Sequence, residues 1–176
     1  MKVHFALCAL GKDRPGILSD LSKVILDSGG VVLDSRMTVL GGEFSAILMI
    51  SGNWSAIAKL EDALPDLQAK LGLAIIAKRT EPRAALTDLL PYVAEIATVE
   101  QPGIVYRVAE FFSSRNIPVA DLYTSCYTMP YSSTPLFSLS LTVNIPTAIH
   151  ISSLREQFMD FCDELNLDGV LEPLKR

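Results

Sequence analysis

Two short strings carry the residues best suited to chemistry: Asp13-Arg14-Pro15-Gly16 and Glu100-Gln101-Pro102-Gly103. In each, an acid precedes a Pro-Gly pair where an apolar, strand-like run gives way to a helical pattern. A helix start presents backbone N–H groups with no intrahelical partner, so such a junction can hold a ligand. It is equally what an ordinary strand-to-helix turn needs, and residue chemistry leaves both readings open.

Other reactive groups are sparse. His4 and His150 are the only histidines, expected in a strand and a helix respectively. Asp34 and Asp121 recur at matching positions and are candidate carboxylate bases, but an acid at a strand start is also a common turn or capping partner. No nucleophile and base stand at a telling spacing, so no enzyme is expected. Cys8, Cys126 and Cys162 are widely spaced and form no C-x-x-C. No metal, no cofactor and no redox pair is expected from them; they read as small buried residues in a reducing cytoplasm.

Composition narrows the classes further. The chain has 176 residues, 49% apolar and 20% charged, which suits a buried core. Its formal net charge of −5 argues against direct nucleic-acid binding by phosphate neutralisation. No apolar stretch is long enough to span a membrane, and the first apolar run is too short and interrupted for a signal peptide.

The elements that position the two strings repeat. Sliding the chain along itself brings Pro15, Gly16, Ile17, Val32 and Asp34 onto Pro102, Gly103, Ile104, Val119 and Asp121. Before each string lies a strand pattern: Val3, Phe5, Leu7 and Ala9 alternate in one copy, Tyr92, Ala94, Ile96 and Thr98 in the other. After it lies a helical face: Ile17, Leu21, Val24 and Ile25, matched by Ile104, Val108, Phe111 and Phe112. Two strands follow, joined through Gly41-Gly42 in the first copy, a hairpin signal, and through the longer "MPYSSTP" in the second. A second helix carries Leu60, Leu64, Leu67 and Leu71, matched by Leu154, Phe158, Phe161 and Leu165. Gly72 and Asn166 end these helices, and a last strand closes each copy.

The order strand-helix-strand-strand-helix-strand, twice, predicts an α+β protein of two ferredoxin-like βαββαβ units. Each is an antiparallel four-stranded sheet with two helices on one face. The expected division is 1–79, a linker at 80–91 containing two prolines, and 92–176. Each copy is small for a domain, so the copies, or two chains, are expected to share buried surface.

With these elements placed, the chain resembles the ACT domain family of small-molecule-binding regulatory modules over nearly its whole length. The stretches "ALGKDRPGIL" and "DSRMTVLGGEFSAILMISGNW" are similar to the glycine cleavage system transcriptional repressor family. Asp34-Ser35-Arg36, Leu40-Gly41, Glu43-Phe44, Ser51-Gly52 and Trp54 are the specific part; the second half matches the general ACT pattern. The resemblance implies a non-enzymatic cytoplasmic regulator that binds a small effector, an amino acid and most of all glycine. It also implies contact with a LysR-type transcription activator and homo-oligomers formed through ACT units.

On that basis the ligand-binding expectation falls on Asp13, Arg14, Gly16, Ile17 and Leu18, and on Glu100, Gln101, Gly103 and Ile104. Free N–H groups would face a carboxylate, and Asp13 or Glu100 an ammonium. Gly16 would let the ligand approach the backbone; Arg14 is either part of the site or simply solvated. Amino-acid-binding ACT domains often carry an Asn at the entry to the second strand; here Val31 and Pro118 stand there. Trp54 reads as packing over the sheet edge or facing a partner, and Arg36 and Glu43 as facing each other across the first hairpin or contacting a partner.

Overall fold

A computed structural model describes residues 2–81, 87–128 and 135–175. The chain divides into two compact units, Met1–Ala84 and Ala85–Arg176. The first runs β1 (Val3–Lys12), α1 (Ile17–Asp27), β2 (Val31–Leu40), β3 (Glu43–Gly52), α2 (Trp54–Leu71) and β4 (Leu73–Thr80). The second runs β5 (Leu89–Val99), α3 (Ile104–Ser113), β6 (Val119–Thr128), β7 (Pro135–Pro146), α4 (Ile151–Glu164) and β8 (Asp168–Pro173). Sheet orders are β2-β3-β1-β4 and β6-β7-β5-β8, antiparallel throughout. This is the α+β, twice-repeated βαββαβ architecture the pattern predicts.

The alternation sets each core. Phe5, Leu7 and Ala9 on β1 stand opposite Ile50, Leu48 and Ala46 on β3, and all are buried. Ile17, Leu21 and Ile25 of α1 and Ile57, Leu60 and Leu67 of α2 close the same cluster. In the second unit Ala94 and Ile96 oppose Leu141 and Leu139, under Val108, Phe112, Leu154 and Phe158. Side chains of period two on the strands and near four on the helices thus meet in one layer, which fixes the register.

Four expectations change. Leu89, Leu90 and Pro91 belong to β5, not to a linker, because they pair with Pro146, Ile145 and Asn144 of β7. Pro91 fits because its carbonyl accepts from the Leu174 N–H just past the end of β8 (3.0 Å). Its missing N–H would point the same way, where little ladder remains. His150 is the N-cap of α4, with extended backbone, rather than a helical residue. On α4 the third buried position is Cys162; Phe161 lies half-buried one residue earlier, against Phe111. Cys8 and Cys126 are exposed, so only Cys162 behaves as the expected buried thiol. The segment "MPYSSTP" lies, except for its last residue, outside the described residues.

Candidate functional site

The turn between β1 and α1 begins where the Asp13 N–H donates to the Gly42 carbonyl (3.0 Å), tying the strand end to the hairpin of β2 and β3. In the second unit the Glu100 N–H donates to Pro135 (3.2 Å) in the same way. The Ile17 N–H then donates back to the Arg14 carbonyl (3.3 Å). Gly16 sits at φ 88°, ψ −7°, and Gly103 at φ 86°, ψ 1°. Those angles are the third position of a type II turn, which Pro followed by Gly favours.

The glycine is therefore demanded by backbone conformation, not by crowding. A Cβ at Gly16 would meet only the Arg14 Nη1, at 3.8 Å, and one at Gly103 would meet nothing within 4 Å. The space beside Gly103 is open, and that beside Gly16 is bordered only by the Arg14 guanidinium.

Each helix starts without a side-chain cap. The first intrahelical bonds run from the Asp20 N–H to Gly16 (2.9 Å) and from the Arg107 N–H to Gly103 (3.0 Å). The N–H groups of Leu18 and Ser19, and of Val105 and Tyr106, lie ahead of those bonds and form the exposed, electropositive helix ends. Of the three expected donors in the first copy, Ile17 is already engaged with Arg14, so Leu18 and Gly16 are the better placed. Asp13 and Glu100 are exposed beside the turns.

Arg14 is not merely solvated. Its Nη2 meets the Asp20 carboxylate at 2.7 Å and its Nη1 the Pro15 carbonyl at 3.2 Å, clamping the first helical turn. In the second copy the Gln101 amide reaches Thr98 Oγ1 at 3.5 Å, and no charge takes the place of the guanidinium. The two turns share a backbone and differ in electrostatics.

Val31 is 61% exposed at the entry to β2. The Pro118 carbonyl accepts from Asn144 (2.9 Å) just before β6. Neither supplies a side-chain hydrogen bond. Asp34 and Asp121 mark β-bulges, at the register shifts Val32/Asp34 and Val119/Asp121. Asp34 accepts from the Ser35 N–H and from Arg36, both at 2.8 Å, and Asp121 from the Leu122 N–H at 3.1 Å. Each acid thus accepts from the N–H of the next residue beside a bulge, a contact of the local turn-partner kind. Arg36 thus pairs with Asp34; Glu43 lies opposite Leu40, and the expected Arg36–Glu43 pair does not form.

Trp54 opens α2 and is 65% exposed, with the Arg79 guanidinium 5.5 Å from its ring. Arg79, on the edge strand β4, bonds both oxygens of Glu61 at 3.0 and 2.7 Å. Those bonds hold the Glu61 carboxyl below its ordinary value. Burial pushes the Cys162 thiol up to about 11, with Asp163 and Asp168 adding to the shift. It is a packed thiol, not a nucleophile. Among the described residues no cluster of His, Cys, Asp and Glu is arranged to hold a metal, and no helix is long and apolar enough to cross a membrane.

Comparison with known proteins bears on this geometry. Residues 4–78 match the ACT domain family. The chain is 28% identical to the glycine cleavage system transcriptional repressor of Escherichia coli strain K12, over 96% of this chain and 88% of that protein. A crystal structure assigned to a glycine cleavage system transcriptional repressor superposes with a TM-score of 0.75 at 27% identity, covering 100% of this chain and 99% of that one. A protein of unknown role from Galdieria sulphuraria shares the fold, with a TM-score of 0.81 at 24% identity over 99% of this chain and 100% of that one. The chain folds as two ACT-like βαββαβ units, the first of which matches the ACT domain family, and over nearly its whole length it is similar to the glycine cleavage system transcriptional repressor.

Proposed function

We propose that this protein is a non-enzymatic cytoplasmic regulator that binds an amino acid, glycine first, at its strand-to-helix turns. It represses transcription by contacting a LysR-type transcription activator. The observation that carries the reading is the near-full-length similarity to the Escherichia coli repressor. The turns support it: two uncapped helix starts stand beside space bordered at most by the Arg14 guanidinium, each with an exposed acid beside it. A carboxylate would accept from the N–H groups near Gly16 and Leu18, and an ammonium would donate to Asp13; Gly103, Ile104 and Glu100 offer the second copy. Such charge-assisted bonds contribute roughly 1.5–3 kcal/mol each.

Ligand binding alters the partner-binding state only through different affinities for the two states. Assembly through ACT units is supported by the outer sheet face of the first unit, where Cys8, Leu10, Ile47 and Ile76 are exposed.

Calorimetry of the full chain against glycine and the other amino acids tests the sensing half. Saturable heat is expected, reduced in Asp13→Asn or Glu100→Gln, which change charge without straining the turn. Absence of heat at millimolar ligand overturns it. Affinity capture from a cell extract tests the partner half, with a transcription activator expected among the retained proteins.

A second reading, a ligand-independent assembly module, is favoured by Val31 and Pro118 at the strand entries. It predicts capture of the same partner whether or not amino acids are present.

A further inference from the structure

The helix layer of the second unit opens into a groove of about 560 Å³ between α3 and α4. Phe111 and Phe161, their ring centroids 4.9 Å apart, form its floor. Arg115 lies across Phe111 at 3.9 Å and is held there by the Gln157 amide oxygen (3.0 Å) and the Phe111 carbonyl (2.8 Å). That guanidinium is committed to the wall. On the other wall Asp160 and Glu164 stand one helical turn apart, and among the described residues neither joins an ion pair.

Their position on α4 is electrostatically costly. Asp160, Asp163 and Glu164 crowd the C-terminal end of the helix, where the macrodipole is negative, and the last turn holds no basic residue. The matching helix of the first unit, α2, carries Lys70 where α4 carries Glu164. Glu110 and Arg107 also line the groove, so three carboxylates face two guanidiniums, one of them committed to Phe111. That excess of negative charge at the negative end of α4, beside an aromatic floor, calls for an apolar ligand bearing a cation. Within the helices the lining runs from Tyr106 to the end of α3 at Ser113 and from Gln157 to Glu164, about 10–11 Å along each helix, which is room for about two helical turns.

We infer that this groove docks a basic amphipathic helix of a partner protein, its apolar side chains on Phe111 and Phe161 and a Lys or Arg against Asp160 and Glu164. This is helix-in-groove recognition with charge setting the orientation. The inference deepens the partner-contact half of the function proposed above and rests on it; amino-acid binding at the turns is not required.

The test uses the full chain and two labelled peptides of about 15 residues. Both have Leu at helical spacing; one has Lys on its remaining face, the other Glu. The Lys peptide is expected to bind saturably and the Glu peptide not. The double variant Asp160→Lys/Glu164→Lys, with its helical content checked by circular dichroism, should weaken the Lys peptide at least about tenfold. Asp62→Lys/Asp66→Lys on α2 makes the same change of net charge and should leave binding within about twofold.

Amide shifts on titration should centre on Phe111 and Phe161. Equal binding of the two peptides overturns the inference, as does equal loss in both variants, or shifts centred elsewhere. Binding of argininamide with the same sensitivity to Asp160→Lys/Glu164→Lys would make the occupant a small cation. A self-association abolished by that variant would make it a second copy. Either result replaces the helix. Failure here leaves the capture experiment standing as the separate test of partner contact.

Discussion

At four matching positions in the helix layer the first unit carries Val24, Ile25, Leu64 and Leu67, and the second carries Phe111, Phe112, Phe158 and Phe161. The fold tolerates the exchange because each set fills its own layer. Phe112 and Phe158 are fully buried, and Phe111 meets three other rings at 4.9–5.5 Å. The outer sheet faces diverge in the opposite sense. Cys8, Ile47 and Ile76 of the first unit correspond to Glu95, Ser140 and Val170 of the second, so the apolar outer face is on the first unit and the aromatic layer on the second. One backbone plan therefore presents two different surfaces. Binding properties belong to these grafted surfaces rather than to the fold.

The comparison can be broken most forcefully at the aromatic layer. Phe158→Ala should cost about 3–5 kcal/mol, and Leu64→Ala at the half-buried matching position about 2 kcal/mol. Trp54 is the only tryptophan and sits in the first unit. Its fluorescence therefore reports that unit, while far-ultraviolet circular dichroism reports both. Phe158→Ala should split the denaturation curve, leaving the tryptophan transition in place. A tryptophan transition shifted in step would show that the units unfold together.

The shared turn predicts the next largest effect, equal in the two copies. Gly16→Ala and Gly103→Ala each force a Cβ into the left-handed region, at a cost of about 1–2 kcal/mol seen in chemical denaturation. An effect near zero in either copy would mean that the turn there relaxes, and the likeness of the two sites would fail.

Helix caps give a smaller contrast. Asn53 accepts from the Ala56 N–H at 2.8 Å, whereas His150 makes no side-chain cap bond. Asn53→Ala should destabilise by about 1 kcal/mol and His150→Ala by much less. Equal losses would point to another role for His150.

The smallest effect concerns Glu61 and Arg79. The Glu61 carboxyl is held below its ordinary value by the Arg79 hydrogen bonds, so their contribution is full above that ordinary value. It fades as pH falls through the lowered folded value. Arg79→Ala should therefore reduce stability slightly at neutral pH and by less in strong acid, where the Glu61 contribution is gone. It should also shift Trp54 emission at neutral pH, where the guanidinium lies near the ring.

Much of this was legible in the residues. The alternation in β1 and β5, the helical faces of α1 and α3, the Gly41-Gly42 hairpin and the Pro-Gly pairs each have a local physical cause, and repetition doubled the signal. The candidate site was legible as a turn, but its chemistry was only half so. That Arg14 would clamp Asp20, and that Ile17 would spend its N–H on Arg14, depends on which way side chain and peptide point. No spacing rule reports that. Pro91 hid a strand start because its fitness depends on where β8 ends, a non-local fact.

Sequence alone determined the element order, the twofold repeat and most of the buried faces, because periodicity is a local property. Only the tertiary structure decided that Asp34 and Asp121 sit at bulges, that Cys162 rather than Phe161 completes the α4 core, and that Phe111 and Phe161 floor a groove between α3 and α4. Each of these depends on the distance between groups far apart in the chain, and that distance exists only once the sheet and its helices have packed.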